Sequence, residues 1–206
     1  NRLDAALVTH PESDHFGGLL EAVVSDEFPI ATLLDGGGNT ANPDYAQLRG
    51  LLTAQGTAFL PGVAGTNWSC PGISITLIGP PPAAPDAPPP ENANTRAAVA
   101  RVSVGPLEMF ASGDAESPQL LGLPLAPADV LKVSHHGSDD PGLAQLLERI
   151  RPRLALIGVG ASNRYGHPTP STLGALAAEH ARTYRTDRDG MIVVTPGGVT
   201  TAGAGR

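Results

Sequence analysis

Short apolar runs alternate with stretches of helical spacing along the whole chain. The apolar runs predict strands at residues 5–9, 31–35, 73–78, 97–104, 107–111, 130–133, 154–159, 184–186 and 191–195. Helical patterns predict helices at residues 17–25, 45–54, 142–150 and 172–180, with Ser171 as the N-cap of the last helix. This mixture of strands and helices indicates a layered α/β domain in which helices cover sheets.

Glycine and proline mark the connections between these elements. Gly105-Pro106 is a tight turn that joins two predicted strands into a hairpin, and Asp189-Gly190 is a second turn. Residues 80–90 hold seven of the 21 prolines, which predicts a flexible surface loop. From the length of 206 residues we expect a single domain over residues 1–206, with a frayed tail at 200–206.

Composition and charge narrow the class of protein. A hydrophobic content of 41% with 16% charged residues fits a globular protein and excludes a disordered chain. Cys70 is the only cysteine of the sequence, so a disulfide framework, a zinc ribbon and a CxxC redox site are excluded. No apolar run reaches the roughly 18 to 20 residues of a membrane span. The net charge of −7 disfavours unaided DNA binding but allows DNA cleavage at metal ions, which supply local positive charge.

The densest chemical signal directly follows the first predicted strand. His10, Glu12, Asp14 and His15 stand within six residues of one another. This spacing lets a loop point its side chains at one centre, and the mixture of imidazole and carboxylate suits Zn, Mn or Fe. The sequence therefore predicts a metal site here, against the alternative of a polar loop with two chance histidines.

Further ligands are expected where later strands end. Asp114, the pair His135-His136 and His167 each follow one of the later predicted strands. The alternatives are an ordinary turn aspartate and an exposed polar turn. His180 lies late in a helix, where the helix dipole is a sufficient explanation, and we assign it no role.

The segment at residues 10–19 resembles the metal-binding signature of the metallo-β-lactamase superfamily. A longer ordered set of motifs looks like the C-terminal domain of the ComEC family, the DNA-uptake channels of naturally competent bacteria. The set spans about 180 residues and comprises the segments at 10–19, 92–95, 112–114, 131–138, 163–168 and 185–190. The His-x-x-x-Asp-His motif is specific only for the superfamily, whereas His-His-Gly-Ser and Tyr-Gly-His-Pro point to the ComEC-like branch.

The resemblance implies an αββα sandwich with the active site at one edge of the two sheets. In the family, strands carrying Asp-Val-Gly-Gln-Gly-Asp and Asp-Gly-Gly elements open the fold. We expect these first strands to precede Asn1, because Asp35-Gly36-Gly37 comes after the metal loop and does not stand in for them.

The resemblance also implies two divalent metal ions and no small-molecule cofactor. The metal ligands that it implies are His10, Glu12, Asp14, His15, Asp114 and His167. His10 and Glu12 would hold one metal and Asp14 and His15 the other. Asp114 would bridge the two metals, and His167 would complete the shell of the second. Glu12 stands where the superfamily usually has histidine, and its harder oxygen ligand predicts manganese in preference to zinc.

Asp14, His135 and His136 are the candidate catalytic residues. Either histidine of the pair binds a metal or protonates the leaving oxygen, and the sequence leaves both roles open. Adjacent side chains of an extended segment point to opposite sides, so only one of the two is expected to face the metals. The family comparison favours His135.

Three other residues are candidates for contacting the substrate. Lys132, the only lysine of the chain, lies close to the histidine pair and is either a phosphate contact or a plain surface residue. Asn94 and Thr95 stand where many relatives have a further histidine. They are expected to hydrogen-bond a ligand or the substrate.

The function implied is a metal-dependent DNase that degrades the non-transported strand during natural transformation. Two metals would make a hydroxide nucleophile at neutral pH and neutralise charge on the phosphodiester. The chain would be an extracytoplasmic domain, periplasmic or at the cell surface, of a bacterial inner-membrane protein. Its partners would be single-stranded or double-stranded DNA, the rest of the membrane channel and a neighbouring DNA-binding domain. Two rivals stand beside it: a hydrolase of a small ester, lactam or thioester, and an inactive structural or DNA-guiding module.

Overall fold

The first part of the chain forms a small parallel sheet covered by two helices. The computed structural model describes residues 2–25, 28–37, 40–84 and 87–203. The elements of this part are β1 (Ala6–Val8), α1 (Ser13–Val24), β2 (Thr32–Asp35), α2 (Pro43–Ala54) and β3 (Ala58–Pro61). The three strands pair in the order β1-β2-β3, all parallel, with α1 and α2 as the crossover connections.

The second part forms a seven-stranded sheet. Its strands are β4 (Asn67–Cys70), β5 (Ile73–Gly79), β6 (Val99–Val104), β7 (Leu107–Ala111), β8 (Val130–Lys132), β9 (Leu154–Ile157) and β10 (Arg182–Arg185). They pair in the order β10-β9-β8-β7-β6-β5-β4. Strands β4 to β7 are antiparallel and β7 to β10 are parallel. The predicted hairpin at Gly105-Pro106 is confirmed, because Val104 lies opposite Leu107.

Helices and short turns connect these strands. The remaining helices are α3 (Ser117–Leu120), α4 (Leu143–Ile150), α5 (Pro170–Ala178) and α6 (Thr186–Asp189). Two 3-10 turns cover Ala93–Arg96 and Ser134–Gly137, and a separate hairpin pairs β11 (Ile192–Thr195) with β12 (Gly198–Thr201). Within the part of the chain that the structure describes, no helix has the length and apolar character needed to cross a membrane.

Three hydrophobic clusters define four layers. One cluster joins α1 and α2 to the outer face of the small sheet, through residues such as Phe16, Leu33 and Leu48. A second cluster, around Leu34 and Leu77, lies between the two sheets. A third packs α3, α4 and α5 onto the far face of the large sheet. The layers therefore run helix, sheet, sheet, helix, and the predicted mixed α/β class is confirmed.

Several predicted boundaries differ from the structure. The last predicted helix is α5, and its N-cap is Thr169, whose hydroxyl accepts from the backbone N–H of Thr172. The predicted cap, Ser171, instead donates its hydroxyl hydrogen to Asp139. Part of the predicted frayed tail is β12, which pairs with β11 through Thr201; residues 204–206 lie outside the described residues.

Three strands, β3, β4 and β12, were not predicted, and the described part of the proline-rich loop lacks regular structure. Their length does not explain this, because β2 and β9 also have four residues each and were predicted. In the proline-rich stretch, residues 80–84 and 87–90 are in neither helix nor strand, and 85 and 86 lie outside the described residues. This stretch lines a cavity of about 480 Å³ that also touches Pro11 of the predicted metal loop.

Gly36 lets the chain after β2 pass directly against the metal loop. Its backbone N–H donates to the carbonyl oxygen of Val8 at 2.8 Å. A Cβ at this position would overlap the carbonyl oxygen of Thr9, and a Cβ at Gly62 would in turn overlap the backbone of Gly36. The segment that leads into His10 is therefore fixed by a close approach that only glycine permits.

We expect Gly36→Ala to lower the free energy of unfolding by about 1–3 kcal/mol, because the added methyl group forces the backbones of β1 and β2 apart. Gly50→Ala is the matched control. A Cβ there meets no atom within 4 Å, and alanine in a helix interior stabilises by about 0.5–1 kcal/mol over glycine. Urea unfolding of both variants checks the prediction, and equal stabilities would contradict it.

Candidate metal centre

The predicted site residues stand at the carboxyl ends of parallel strands of both sheets. His10 follows β1, Asp114 follows β7, and His135 and His136 follow β8. Carboxyl ends of parallel strands gather at one edge of a sheet, which is where open α/β sheets bind ligands. The two sheets meet at this edge, since the N–H of Ala98 donates to the carbonyl oxygen of Thr9 at 2.8 Å.

The metal loop passes into a helix earlier than predicted. Helix α1 begins at Ser13, with Glu12 as its N-cap, instead of at residue 17. Asp14 and His15 therefore lie in the first helical turn, where the helix dipole favours a carboxylate. Asn42 holds the loop from the other side, since its side-chain amide donates to the carbonyl oxygen of Pro11 at 2.9 Å.

Two groups of metal-ligating side chains form here and share one histidine. His10, His15 and Asp114 make the first group, and Asp14, His15 and His136 make the second, with ligand atoms within 4.8 Å of one another. Nε2 of His15 lies 3.2 Å from Oδ2 of Asp114, and Nε2 of His136 lies 3.3 Å from Oδ2 of Asp14. The groups differ from the pairing expected from the sequence, in which His10 went with Glu12.

The polar atoms at the centre of these groups are buried and lack hydrogen-bond partners. Such atoms are Nε2 of His10, His15 and His136 and Oδ1 of Asp114; Nδ1 of His167 and Oδ1 of Asn94 are further ones outside the two groups. An unpaired buried polar atom costs about 1–3 kcal/mol, so native proteins keep few of them. Imidazole nitrogens that converge with a carboxylate are the ligand set of a divalent cation. The residues therefore fit the predicted metals.

Contacts at Nδ1 orient the imidazoles of His10 and His136, so that Nε2 of each ring stays available to a metal ion. Nδ1 of His136 donates to the carbonyl oxygen of Gly158 at 2.6 Å, which leaves Nε2 as the lone-pair nitrogen. Nδ1 of His10 lies 3.1 Å from the hydroxyl of Thr9. Burial, with the adjacent His15, lowers the pKa of His10 to about 4, so this ring is neutral at pH 7. Neutral imidazole is the form that binds metals.

Asp114 is a buried carboxylate with one cation beside it. Burial alone would raise the pKa of Asp114, but His15 and Lys132 outweigh that effect and hold the pKa well below its usual range. Nζ of Lys132 lies 3.6 Å from Oδ1 of Asp114 and donates to the carbonyl oxygen of Gly113 at 3.0 Å. Burial lowers the pKa of Lys132. The only lysine of the chain thus faces the centre.

His135 and His136 both turn towards Asp114, which contradicts the expectation that they point to opposite sides. That expectation assumed an extended segment, whereas both residues adopt left-handed backbone angles, with φ of 44° and 53°. Their Nε2 atoms lie 3.9 Å and 3.5 Å from Oδ2 of Asp114. Non-glycine residues rarely adopt positive φ, and such positions concentrate at functional sites.

Glu116 was missed in the sequence analysis. Its Oε1 accepts a hydrogen bond from Nδ1 of His135 at 2.8 Å and another from the hydroxyl of Ser138. His135 is therefore oriented by a carboxylate, whereas its neighbour His136 is oriented by a backbone carbonyl. The sequence could have indicated Glu116, because it is an acidic residue two positions after Asp114 at the same strand end.

The other candidate residues lie around the two groups. Glu12 is outside both groups; its side chain is 46% exposed, and its Oε2 lies 3.8 Å from Nε2 of His10. The ring of His167 has its centroid 5.8 Å from that of His135. Burial, then His135, lowers the pKa of His167. In the turn Ala93–Arg96, Thr95 donates its hydroxyl hydrogen to the carbonyl oxygen of Asn92, while the buried Oδ1 of Asn94 has no partner.

An open cavity of about 400 Å³ adjoins the second group. Its lining residues include Asp14, His136, Tyr165, His167 and Thr186. No lysine or arginine is among its described lining residues. A substrate that enters this cavity therefore reaches the candidate metal ligands directly.

The chain resembles bacterial competence and recombination proteins in its amino-acid sequence. It is 28% identical over 196 residues to ComE operon protein 3 of Bacillus subtilis (strain 168), an alignment that covers 93% of this chain and 24% of the relative. Recombination protein 2 of Haemophilus influenzae is 26% identical over 176 residues, or 84% of this chain and 20% of the relative. Competence protein ComA of Neisseria gonorrhoeae is 23% identical over 196 residues, or 93% and 25%.

The chain is a homologue of the ComEC-family competence proteins. The family resemblance predicted from the motifs is thereby confirmed. The chain spans a quarter or less of the length of these relatives. No protein-family model matches it.

A solved structure supports the same fold. A mutant of CmlA beta-hydroxylase aligns with a TM-score of 0.52 and 13% sequence identity, over 89% of this chain and 43% of that chain. At this identity the likeness concerns the fold alone. Together with the four layers, it confirms the metallo-β-lactamase-like αββα architecture.

We expect His15→Ala to weaken the binding of divalent metal ions by at least about tenfold, because His15 belongs to both groups. Isothermal titration with Mn²⁺ and elemental analysis of the loaded protein measure the effect. His180→Asn is the matched control, since asparagine tolerates the left-handed backbone angle of His180, a φ of 56°. Unchanged metal content in His15→Ala would show that the two groups hold no metal.

Proposed function

We propose that this chain is a metal-dependent phosphodiesterase that hydrolyses DNA within a bacterial DNA-uptake system. The observation that carries the proposal is the convergence of buried, unpartnered acceptor atoms on Asp114 beside an open cavity. The homologous proteins are named for competence and recombination, processes in which DNA is the material handled. More specifically, we propose that the substrate is the DNA strand that is not transported.

The proposed metal ligands are the two groups described above. His10, His15 and Asp114 would hold one divalent ion, and Asp14, His15 and His136 the other. The carboxylate of Asp114 has an oxygen near each group, since its Oδ2 lies within 3.5 Å of both His15 and His136. Bound divalent ions supply positive charge against a phosphodiester and activate water. Each group has two imidazoles and one carboxylate, which suits zinc as well as manganese. The proposed preference for manganese rests on Glu12, whose Oε2 lies 3.8 Å from Nε2 of His10.

The protein side chains have two tasks in this proposal. The first is to orient the ligands, which Thr9 and Gly158 do for His10 and His136. The second is proton transfer, for which His135 is suited. Its Nδ1 is held by Glu116, its Nε2 is free to face a substrate, and its side chain is 34% exposed. A protonated Nε2 of His135 would deliver its proton to the leaving oxygen.

DNA is favoured over a small ester or lactam by the shape of the site and by the relatives. The cavity beside the centre is open and continuous with the protein surface through Tyr165, which is 82% exposed. A pocket for a small substrate is expected to enclose most of its ligand. With a net charge of −7, the chain would receive DNA from a basic domain or channel. From the family resemblance and the greater length of the relatives, we further propose that the chain acts as an extracytoplasmic domain of a membrane protein.

We expect metal-dependent cleavage of single-stranded DNA, faster with Mn²⁺ than with Zn²⁺. Asp114→Ala is expected to retain less than about a tenth of the rate, a barrier increase above about 1.4 kcal/mol, because two cations without a shared carboxylate repel each other. A gel assay of labelled oligonucleotide measures both effects, with Asp44→Ala, an exposed carboxylate of α2, as control. A β-lactam and a small chromogenic ester are run in parallel. Turnover of these without DNA cleavage would contradict the proposal.

The two adjacent histidines are expected to differ in what they do. His136→Ala should lose bound metal, because His136 belongs to a ligand group, whereas His135→Ala should keep its metal and lose at least about tenfold in rate. Elemental analysis and single-turnover cleavage of the same preparations separate the two effects. Equal loss of metal in both variants would make His135 a ligand instead of a proton donor.

A further inference from the structure

The open cavity of about 400 Å³, here called the groove, is bordered both by candidate metal ligands and by an exposed aromatic ring. Asp14, His136 and Tyr165 are among its lining residues. Tyr165 is 82% exposed, the largest exposed fraction among the exposed large hydrophobic residues of the described chain. The other two tyrosines, Tyr45 and Tyr184, are buried. An aromatic ring left in water beside a site is the kind of surface that binds another flat, apolar group.

The ring of Tyr165 lies beside the imidazole of His167. The two rings are nearly parallel, with centroids 5.9 Å apart and an angle of 17° between them. Asn163 holds the backbone of His167: its Oδ1 accepts from the N–H of His167 at 3.1 Å, and its Nδ2 donates to the carbonyl oxygen of His167 at 2.9 Å. The tyrosine ring therefore stands next to a positioned imidazole, and at 82% exposure it is open to a ligand.

Two glycines leave free space at the lining of the groove. Gly158 and Gly160 line it, and a Cβ at either position would meet no atom within 4 Å. The backbone of these residues is compatible with a side chain, because neither has a positive φ. A side chain introduced at either position therefore tests whether a ligand occupies the groove.

We propose that Tyr165 is a stacking platform for a nucleobase of the DNA strand whose phosphate lies at the metal centre. The proposal rests on the proposed DNA hydrolysis and names how that substrate is held. Stacking suits a strand of any sequence, because every base has a π-face. It also suits a groove whose described lining has no lysine or arginine, since stacking needs no positive charge.

Binding of two short oligonucleotides tests the proposal. One is a fluorescein-labelled oligothymidylate with phosphorothioate linkages, which resist hydrolysis, and the other has the same backbone with abasic sites throughout. With the Mn²⁺-loaded protein, Tyr165→Ala should bind the oligothymidylate at least about fivefold more weakly and the abasic strand as wild type does. Tyr165→Phe should bind both as wild type does, because the ring remains.

Two further variants complete the binding test. Phe28→Ala removes another exposed ring, at the far end of the small sheet, before β2 begins, and should leave both affinities unchanged. Gly160→Val adds a side chain to the groove lining, where a Cβ meets no protein atom within 4 Å, and should weaken binding of the oligothymidylate more than of the abasic strand. Equal affinities of wild type for the two strands, or equal losses on both strands in Tyr165→Ala, would overturn the proposal. So would an unchanged preference in Gly160→Val.

Cleavage of the matching phosphodiester strands separates this proposal from the function on which it rests. If wild type and Tyr165→Ala cleave the normal and the abasic strand at the same rates, DNA hydrolysis stands and base stacking is wrong. If wild type cleaves neither strand, the hydrolytic function is wrong and the stacking proposal is overturned with it. A rate loss in Tyr165→Ala that is confined to the normal strand supports both.

Discussion

The contact of Thr9 with the large sheet is the constraint on which the candidate site depends. The carbonyl oxygen of Thr9 accepts from Ala98, and its side chain packs against the position where Gly113 lacks a Cβ. Gly113 has a φ of 55°, so the backbone turns sharply there and brings Asp114 under the metal loop. The hydroxyl of Thr9 lies near Nδ1 of both His10 and His15. The contacts of Thr9 that join the two sheets therefore also bring the candidate ligands together.

Two carboxylates and one amine meet at this junction. Asp114 is buried, with Lys132 on one side and Asp14 across the His15 and His136 rings on the other. The amine of Lys132 is partly engaged by the carbonyl oxygen of Gly113 and neutralises one carboxylate at most. A buried carboxylate is costly unless it is paired, so Lys132 and His15 are needed to hold Asp114 there. A cation bound among His10, His15 and Asp114 would add to that pairing.

Sequence reasoning found the site because strand ends are visible as patterns of residues. His10, Asp114 and His136 each follow an apolar run, and parallel strands carry such ends to one edge. The failures were local. We expected His135 and His136 to point to opposite sides because we assumed an extended backbone. Nothing in the sequence indicates that both residues adopt left-handed backbone angles. Glu116 contacts His135 only because the fold brings the turn after β8 against the residues after β7, so the sequence alone did not show its role. The metal roles of these residues stay predictions.

In the proposed function, a chain with a net charge of −7 has to hold DNA. Arg49 forms an ion pair with the buried Asp35, and Arg153 forms one with the half-buried Asp129. Arg185 donates two hydrogen bonds to the carboxylate of Asp187. Those guanidinium groups are engaged within the protein, so they add little to phosphate binding. In the two proposals, bound metal ions and the ring of Tyr165 would share this task. The ions would contact the phosphate that reacts, and the ring would hold a base without regard to its identity.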